Sequence, residues 1–172
     1  MPSKTLSNDP STLNINIGIE EKERKLICQN LSILLADSYL LYLKTQNYHW
    51  NVTGLFFFPL HQLFENQYKE LSESIDEIAE RIRSLGESAP GSFIKFNKIA
   101  SIKEDDANPL AEEMIQNLVQ DNEIIVTNLR DMITMANECE DDVSAELFIS
   151  RMQVHEKNAW MLRSMLPSKF TH

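Results

Sequence analysis

Apolar residues recur every three to four positions from about Ile19 to Leu166, and no hairpin signal such as Asn-Gly breaks that period. The first run, Ile27, Leu31, Leu34, Ser38, Leu41, Thr45 and Tyr48, is one packed face of a helix predicted over about Ile19–Tyr48. Asn51-Val-Thr-Gly54 then turns the chain. A second helix, about Phe57–Leu85, sets Leu60, Phe64, Leu71, Ile75, Ile78, Ile82 and Leu85 on one side and ends at Gly86. Residues 87–107 form a long connection, with Phe93–Ile102 apolar enough for a short helix. Asn108 before Pro109 reads as an N-cap before N1, opening a third helix to about Asn137. Its inward positions are Leu110, Met114, Leu118, Ile125, Leu129, Met132 and Ala136. An acidic turn, Glu138 to Asp142, leads to the fourth helix. Asp142 is its predicted N-cap, Phe148, Met152, Ala159, Leu162 and Leu166 face inward, and Pro167 ends it.

Four amphipathic helices with one long link in the middle predict an all-α fold, a ferritin-like four-helix bundle. The link lets the second and third helices run parallel, in up-down-down-up order, and carries the short extra helix. The bundle is expected over residues 19–166, between a flexible N-terminal tail, 1–18, and a C-terminal tail, 167–172. At 172 residues the chain can bury a full core.

Composition narrows the partners. Sixteen Lys and Arg against 26 Asp and Glu give a net charge of −10, which repels phosphate backbones and suits metal cations. The N-terminus has no apolar h-region. The most apolar stretch, Leu31 to Leu43, is interrupted by Ser32, Asp37 and Ser38 and reads as too short for a bilayer, so no membrane partner is expected. Cys28 and Cys139 lack metal-type spacing and read as buried thiols of a cytoplasmic protein.

His49, His61, Asp76 and Glu80 are ligand types suited to ferrous iron, with zinc as an alternative occupant. At about 100° per residue, with His61 as zero, Asp76 falls near 60° and Glu80 near 100°, while the apolar seam centres near −75°. The three on this helix therefore share a face that does not pack the bundle. An intra-bundle di-iron centre would bring Glu-x-x-His motifs, and none occurs in the sequence. His61 and Asp76 are 15 residues apart, about 22 Å along a helix, far beyond the roughly 2 Å reach of a metal–ligand bond. One chain cannot close such a site. A two-fold dimer with antiparallel second helices can, placing both histidines of one subunit opposite both acids of the other, twice per interface.

Tyr48-His-Trp-Asn-Val-Thr-Gly54, His61 with Leu63-Phe64-Glu65, and Asp76-Glu-Ile-Ala-Glu-Arg-Ile-Arg83 resemble the signature of the Dps mini-ferritins. Phe93-x-x-Phe96 with Ser101-Ile-Lys-Glu104, and Ala159-Trp-Met-Leu162, extend the likeness over about residues 20–166. The resemblance implies a homo-oligomeric hollow shell, a dodecamer built from two-fold dimers. Its ferroxidase centres would oxidise Fe(II), generally with hydrogen peroxide in preference to dioxygen, and the ferric product would be stored inside. It implies His49, His61, Asp76 and Glu80 as iron ligands. Trp50 matches a tryptophan close to that centre, which takes up stray oxidising equivalents or simply packs. Acids at the start of the family's fourth helix line iron-entry pores; here the candidates are Asp141, Asp142 and Glu146, with Asn137 where an acid can occur. The mineral-nucleating places read Gln62, Glu65 and Asn66, leaving Glu65 alone. The sequence assigns no role to His155 or His172.

DNA binding in that family often uses a lysine-rich tail. Here only Lys4 precedes Lys22, and Lys169 lies near the other end. So few phosphate-neutralising groups on an acidic chain predict weak or absent DNA binding, with protection coming from removal of iron and peroxide. The alternative is a nucleoid-associated DNA-binding protein with a secondary iron site.

Overall fold

The computed structural model describes residues 15–166. Lys4, Lys169, His172, Pro167 and nearly all of both predicted tails lie outside the described residues. The described residues form five helices in order: α1 Glu21–Asn51, α2 Phe57–Ser84, α3 Phe93–Ile99, α4 Ala111–Glu138 and α5 Asp142–Arg163. No strand occurs among the described residues.

Cross-helix bonds fix the topology. Cys28 Sγ reaches the Ile82 carbonyl, Lys44 meets Asp121, and Arg130 meets Glu156, so α1 is antiparallel to α2 and α4, and α4 to α5. Consequently α2 and α4 run parallel, the up-down-down-up order expected from the long link. The predicted seams of α1 and α2 are buried along their whole length. Both cysteines are buried free thiols.

Gly86 ends α2 with φ +101°. Its N–H donates to the Arg83 carbonyl and the Glu87 N–H to that of Ile82, a Schellman closure that favours glycine because no Cβ opposes the left-handed backbone.

Several contacts tie the link to α1. Asp37, buried in α1, accepts the backbone N–H of Ser101 at 2.6 Å and of Ile102 at 3.2 Å. Tyr39 stacks on Phe96 of α3 with ring centroids 4.7 Å apart.

Three expected features differ. The third predicted helix, α4, starts at Ala111, after an extended Leu110 at its N-cap position, and not at Asn108. Asp105 accepts the Tyr48 hydroxyl, holding the preceding segment of the link against α1, and Leu110, outside the helix, is 80% exposed instead of inward. The N-cap of α5 is Asp141, whose side chain accepts the Ser144 N–H, which moves Asp142 to the first helical position. Finally, α1 is long and apolar enough to cross a membrane by length and composition alone, contrary to the shorter stretch read from the sequence. More than half of that window is buried, by Leu31, Leu34, Leu35, Leu40 and Leu41 in the bundle, as befits a core helix.

Candidate metal centre

Antiparallel packing of α1 and α2 brings His49, in the last turn of α1, against His61, in the first two turns of α2. Their rings stack with centroids 3.8 Å apart and planes 18° from parallel. Each Nδ1 lies 2.8 Å from the other residue's backbone carbonyl. A carbonyl only accepts, so both Nδ1 atoms carry a proton, and in the neutral ring this tautomer leaves the Nε2 lone pair for a metal. This reciprocal lock performs the orienting role that outer-shell partners play for metal-binding imidazoles. His49 is buried, His61 half-buried. Phe57 lies tilted over the outer side of His61 at 5.1 Å, and Tyr68 meets His49 edge-on at 5.2 Å.

Asp76 and Glu80 lie further along α2 on its exposed side, and neither is in an ion pair among the described residues. Among the described residues, no three His, Cys, Asp or Glu side chains converge within one chain. The histidines are brought together; the acids are held apart from them. Glu80 lines a groove of about 560 Å³ between α2 and α5, which it shares with Glu77, Arg81 and Glu146.

The remaining candidates divide. Trp50 is 61% exposed and lines a cleft with Leu43, Asn47 and Asp106. Glu65 pairs with Lys69 at 2.5 Å, and that bond holds its carboxyl below the usual range. Asp142 and Glu146 face solvent, but Asp141 does not: it is 2% exposed and bonds Arg81 at 2.6 Å. Within the chain Asp141 is engaged in the cap of α5 and in the pair with Arg81.

Sequence reasoning missed a polar seam through the bundle. Lys44 pairs with Asp121, the His155 Nδ1–H donates to Asn122 Oδ1 at 2.8 Å, and Arg151 forks onto Glu70. The signal was present as polar residues interrupting apolar seams, but period alone does not identify their partners.

A family model described as a ferritin-like domain matches residues 28–168. A low temperature-induced protein of Nostoc sp. is 45% identical over 154 residues, covering 88% of this chain and 86% of the relative. DNA protection during starvation protein 2 of Bacillus anthracis is 34% identical, covering 83% of this chain and 97% of the relative. Among solved structures, a Dps protein of Vibrio cholerae O1, described as a member of a broad superfamily of ferritin-like diiron-carboxylate proteins, superposes with a TM-score of 0.85. It is 33% identical, covering 91% of this chain and 99% of that one. A Dps protein of Bacillus brevis gives a TM-score of 0.83 at 34% identity, over 87% of this chain and 100% of that one.

Proposed function

We propose, for a chain that belongs to the Dps family of ferritin-like proteins, a mini-ferritin that oxidises Fe(II) at sites shared between two subunits. Hydrogen peroxide is the oxidant, or dioxygen in its place, and the ferric product is stored within a hollow homo-oligomeric shell, a dodecamer.

One observation carries this reading. Two imidazoles are locked with Nδ1 bonded to a carbonyl and Nε2 left for a metal, while the two carboxylates suited to complete a ferrous site stand exposed about 22 Å and 28 Å further along α2. Free imidazole nitrogens and unpaired carboxylates bind Fe(II), and carboxylates stabilise the Fe(III) that forms. The chain's own part is to hold His49 and His61 in the ligating tautomer and to leave Asp76 and Glu80 free for a neighbour. Iron, supplied as substrate, gives up one electron per ion, and paired oxidation reduces peroxide to water. Zinc would occupy the same donors without redox chemistry. Glu146, in one groove with Glu80, and Asp142 beside it suit cation entry, and Glu65 suits mineral nucleation.

The test is complementation. His61→Ala and Asp76→Ala chains are each expected to lose peroxide-driven Fe(II) oxidation as pure assemblies. Co-assembled in equal amounts from the unfolded state, they regain roughly a quarter of the wild-type sites, because each mixed two-fold dimer rebuilds one of its two centres. No recovery in well-formed mixed shells would sink the shared site.

The net charge of −10 supports protection of DNA by removal of iron and peroxide over direct binding. A stable gel shift at physiological salt would favour the nucleoid-packing alternative.

A further inference from the structure

Inside the bundle, two helices carry three buried polar atoms with no hydrogen-bond partner among the described residues. They are Gln67 Nε2 on α2, and Arg151 Nε and His155 Nε2 on α5. Gln67 is 5% exposed, Arg151 3% and His155 0%. Buried polar groups are paired in the great majority of cases, so three orphans in one region call for a partner.

The helix register brings the three to one place. Arg151 of α5 forks onto Glu70 of α2, and the two helices are antiparallel. Gln67 lies one turn before Glu70 and His155 one turn after Arg151, so Gln67 and His155 stand at the same level of the bundle. Further along the pair, Arg81 bonds Ser144 in the same register. Arg151 is close enough to His155 for its charge to oppose protonation of the imidazole.

The three atoms also select what could join them. Asn122 gives its own side-chain N–H to the Leu118 carbonyl, so its Oδ1 accepts the His155 Nδ1–H at 2.8 Å. In the neutral ring, Nε2 is then an acceptor turned away from α4. Arg151 Nε and the Gln67 amide nitrogen are donors, and none of the three bonds another. A single lone pair beside a guanidinium is a poor seat for a dication, and no three His, Cys, Asp or Glu among the described residues converge here. An anion would face the lone pair of His155. A small neutral molecule that both accepts and donates suits all three.

We propose that one water molecule is an integral part of the core at this level, accepting from Gln67 Nε2 and Arg151 Nε and donating to His155 Nε2. Three partners is the usual number for a buried water. The water bridges α2 to α5 one turn from the Arg151–Glu70 pair. Because α2 carries His61, Asp76 and Glu80, the bridge helps to hold the helix of those side chains in place against α5.

The purified full-length chain is crystallised at a resolution that shows ordered water. The same chain with 15N-labelled histidine is sedimented for proton-detected magic-angle-spinning NMR. The expected result is one solvent peak about 2.7–3.2 Å from both His155 Nε2 and the Gln67 amide, with a water cross-peak to His155 Nε2. Gln67→Met keeps the length of the side chain without its amide. It should lower that cross-peak roughly 2- to 10-fold, the worth of one hydrogen bond, while the bond from His155 to Asn122 stays. If the variant does not fold, the wild-type density and cross-peak decide alone. A direct Gln67–His155 hydrogen bond, a core without solvent density at this level, a metal ion on His155 Nε2, or an undiminished cross-peak in Gln67→Met overturns the bridge.

Discussion

His49 and His61 each hold the other's ring in one tautomer, through two 2.8 Å bonds to backbone carbonyls and a 3.8 Å stack. Removing either ring deletes one nitrogen donor and the stack against the survivor, while the backbone carbonyl that fixes the survivor's tautomer stays. His49→Ala and His61→Ala are therefore expected to weaken anaerobic Fe(II) binding to a similar extent, each by more than the ~10- to 100-fold typical of a lost outer-shell partner. Because each survivor keeps its carbonyl partner and its own nitrogen donor, the double variant should cost more than either single one. Titration calorimetry of all three checks this; a double variant no weaker than either single one would mean that one ring alone contributes nothing.

Lys44 of α1 and Asp121 of α4 form a 2.6 Å ion pair with both side chains less than a tenth exposed. Burial by itself pushes the Asp121 carboxyl above its usual range, against the pull of Lys44. Breaking the pair leaves one buried charge without its partner, so Lys44→Met should cost about 3–5 kcal/mol. Lys44→Met with Asp121→Leu should recover most of that loss, since a packed apolar pair has no such penalty. Urea unfolding of the two variants measures the contrast. Equal losses would show that packing around the pair, not its charge, is what matters.

Arg81 and Asp141 pin the start of α5 to α2. Burial would raise the Asp141 carboxyl, but the bonds from Ser144 and Arg81 together outweigh it and hold the group below its ordinary range. A carboxyl lowered on folding contributes stability that is complete above its unfolded value and disappears as pH falls through the folded one. Asp141→Asn keeps an acceptor for the helix cap but loses the charge. It should cost about 1–2 kcal/mol at neutral pH, with the difference from wild type closing toward about pH 2. Denaturation at both pH values tests this, and a pH-independent difference would assign the cost to the cap alone.

The period of apolar residues made the fold legible, because long helices without interior glycine announce one buried face each. Helix starts were less legible. Asn108-Pro109 has the composition of a cap, yet Asp105 and Asp37 tie the link to α1 until Leu110. In the acidic turn, composition could not choose between Asp141 and Asp142; Arg81, 60 residues away in sequence, chose. The candidate site was legible as spacing, because helical rise turns a sequence interval into a distance. Its lock was not, since nothing in the sequence says that each histidine reaches the other's carbonyl. Asp37 and His155 likewise read as interruptions or spare groups until their partners came from other elements.

His155 shows how such a hidden group sets acid sensitivity. It is fully buried, its Nδ1–H is given to Asn122, and Arg151 stands one turn before it. Burial first, and then the Arg151 charge, hold its imidazole down to about 3. The folded chain thus keeps it neutral where the unfolded chain, with an ordinary value of about 6.5, takes a proton. Stability from this residue is complete above that unfolded value and falls with pH below it, by about 1.4 kcal/mol per pH unit, until the folded group also protonates. His155→Gln retains a donor for Asn122 but cannot titrate. At pH 7.5 it should be less stable than wild type by roughly 1–3 kcal/mol, from imperfect packing. As pH falls from about 6.5 toward 4, wild type should lose its advantage and the variant become the more stable of the two. Paired urea titrations across that range isolate His155, because His49 and His61 are common to both proteins. A wild-type-minus-variant difference that stays flat would mean that the buried imidazole already carries its proton in the folded state.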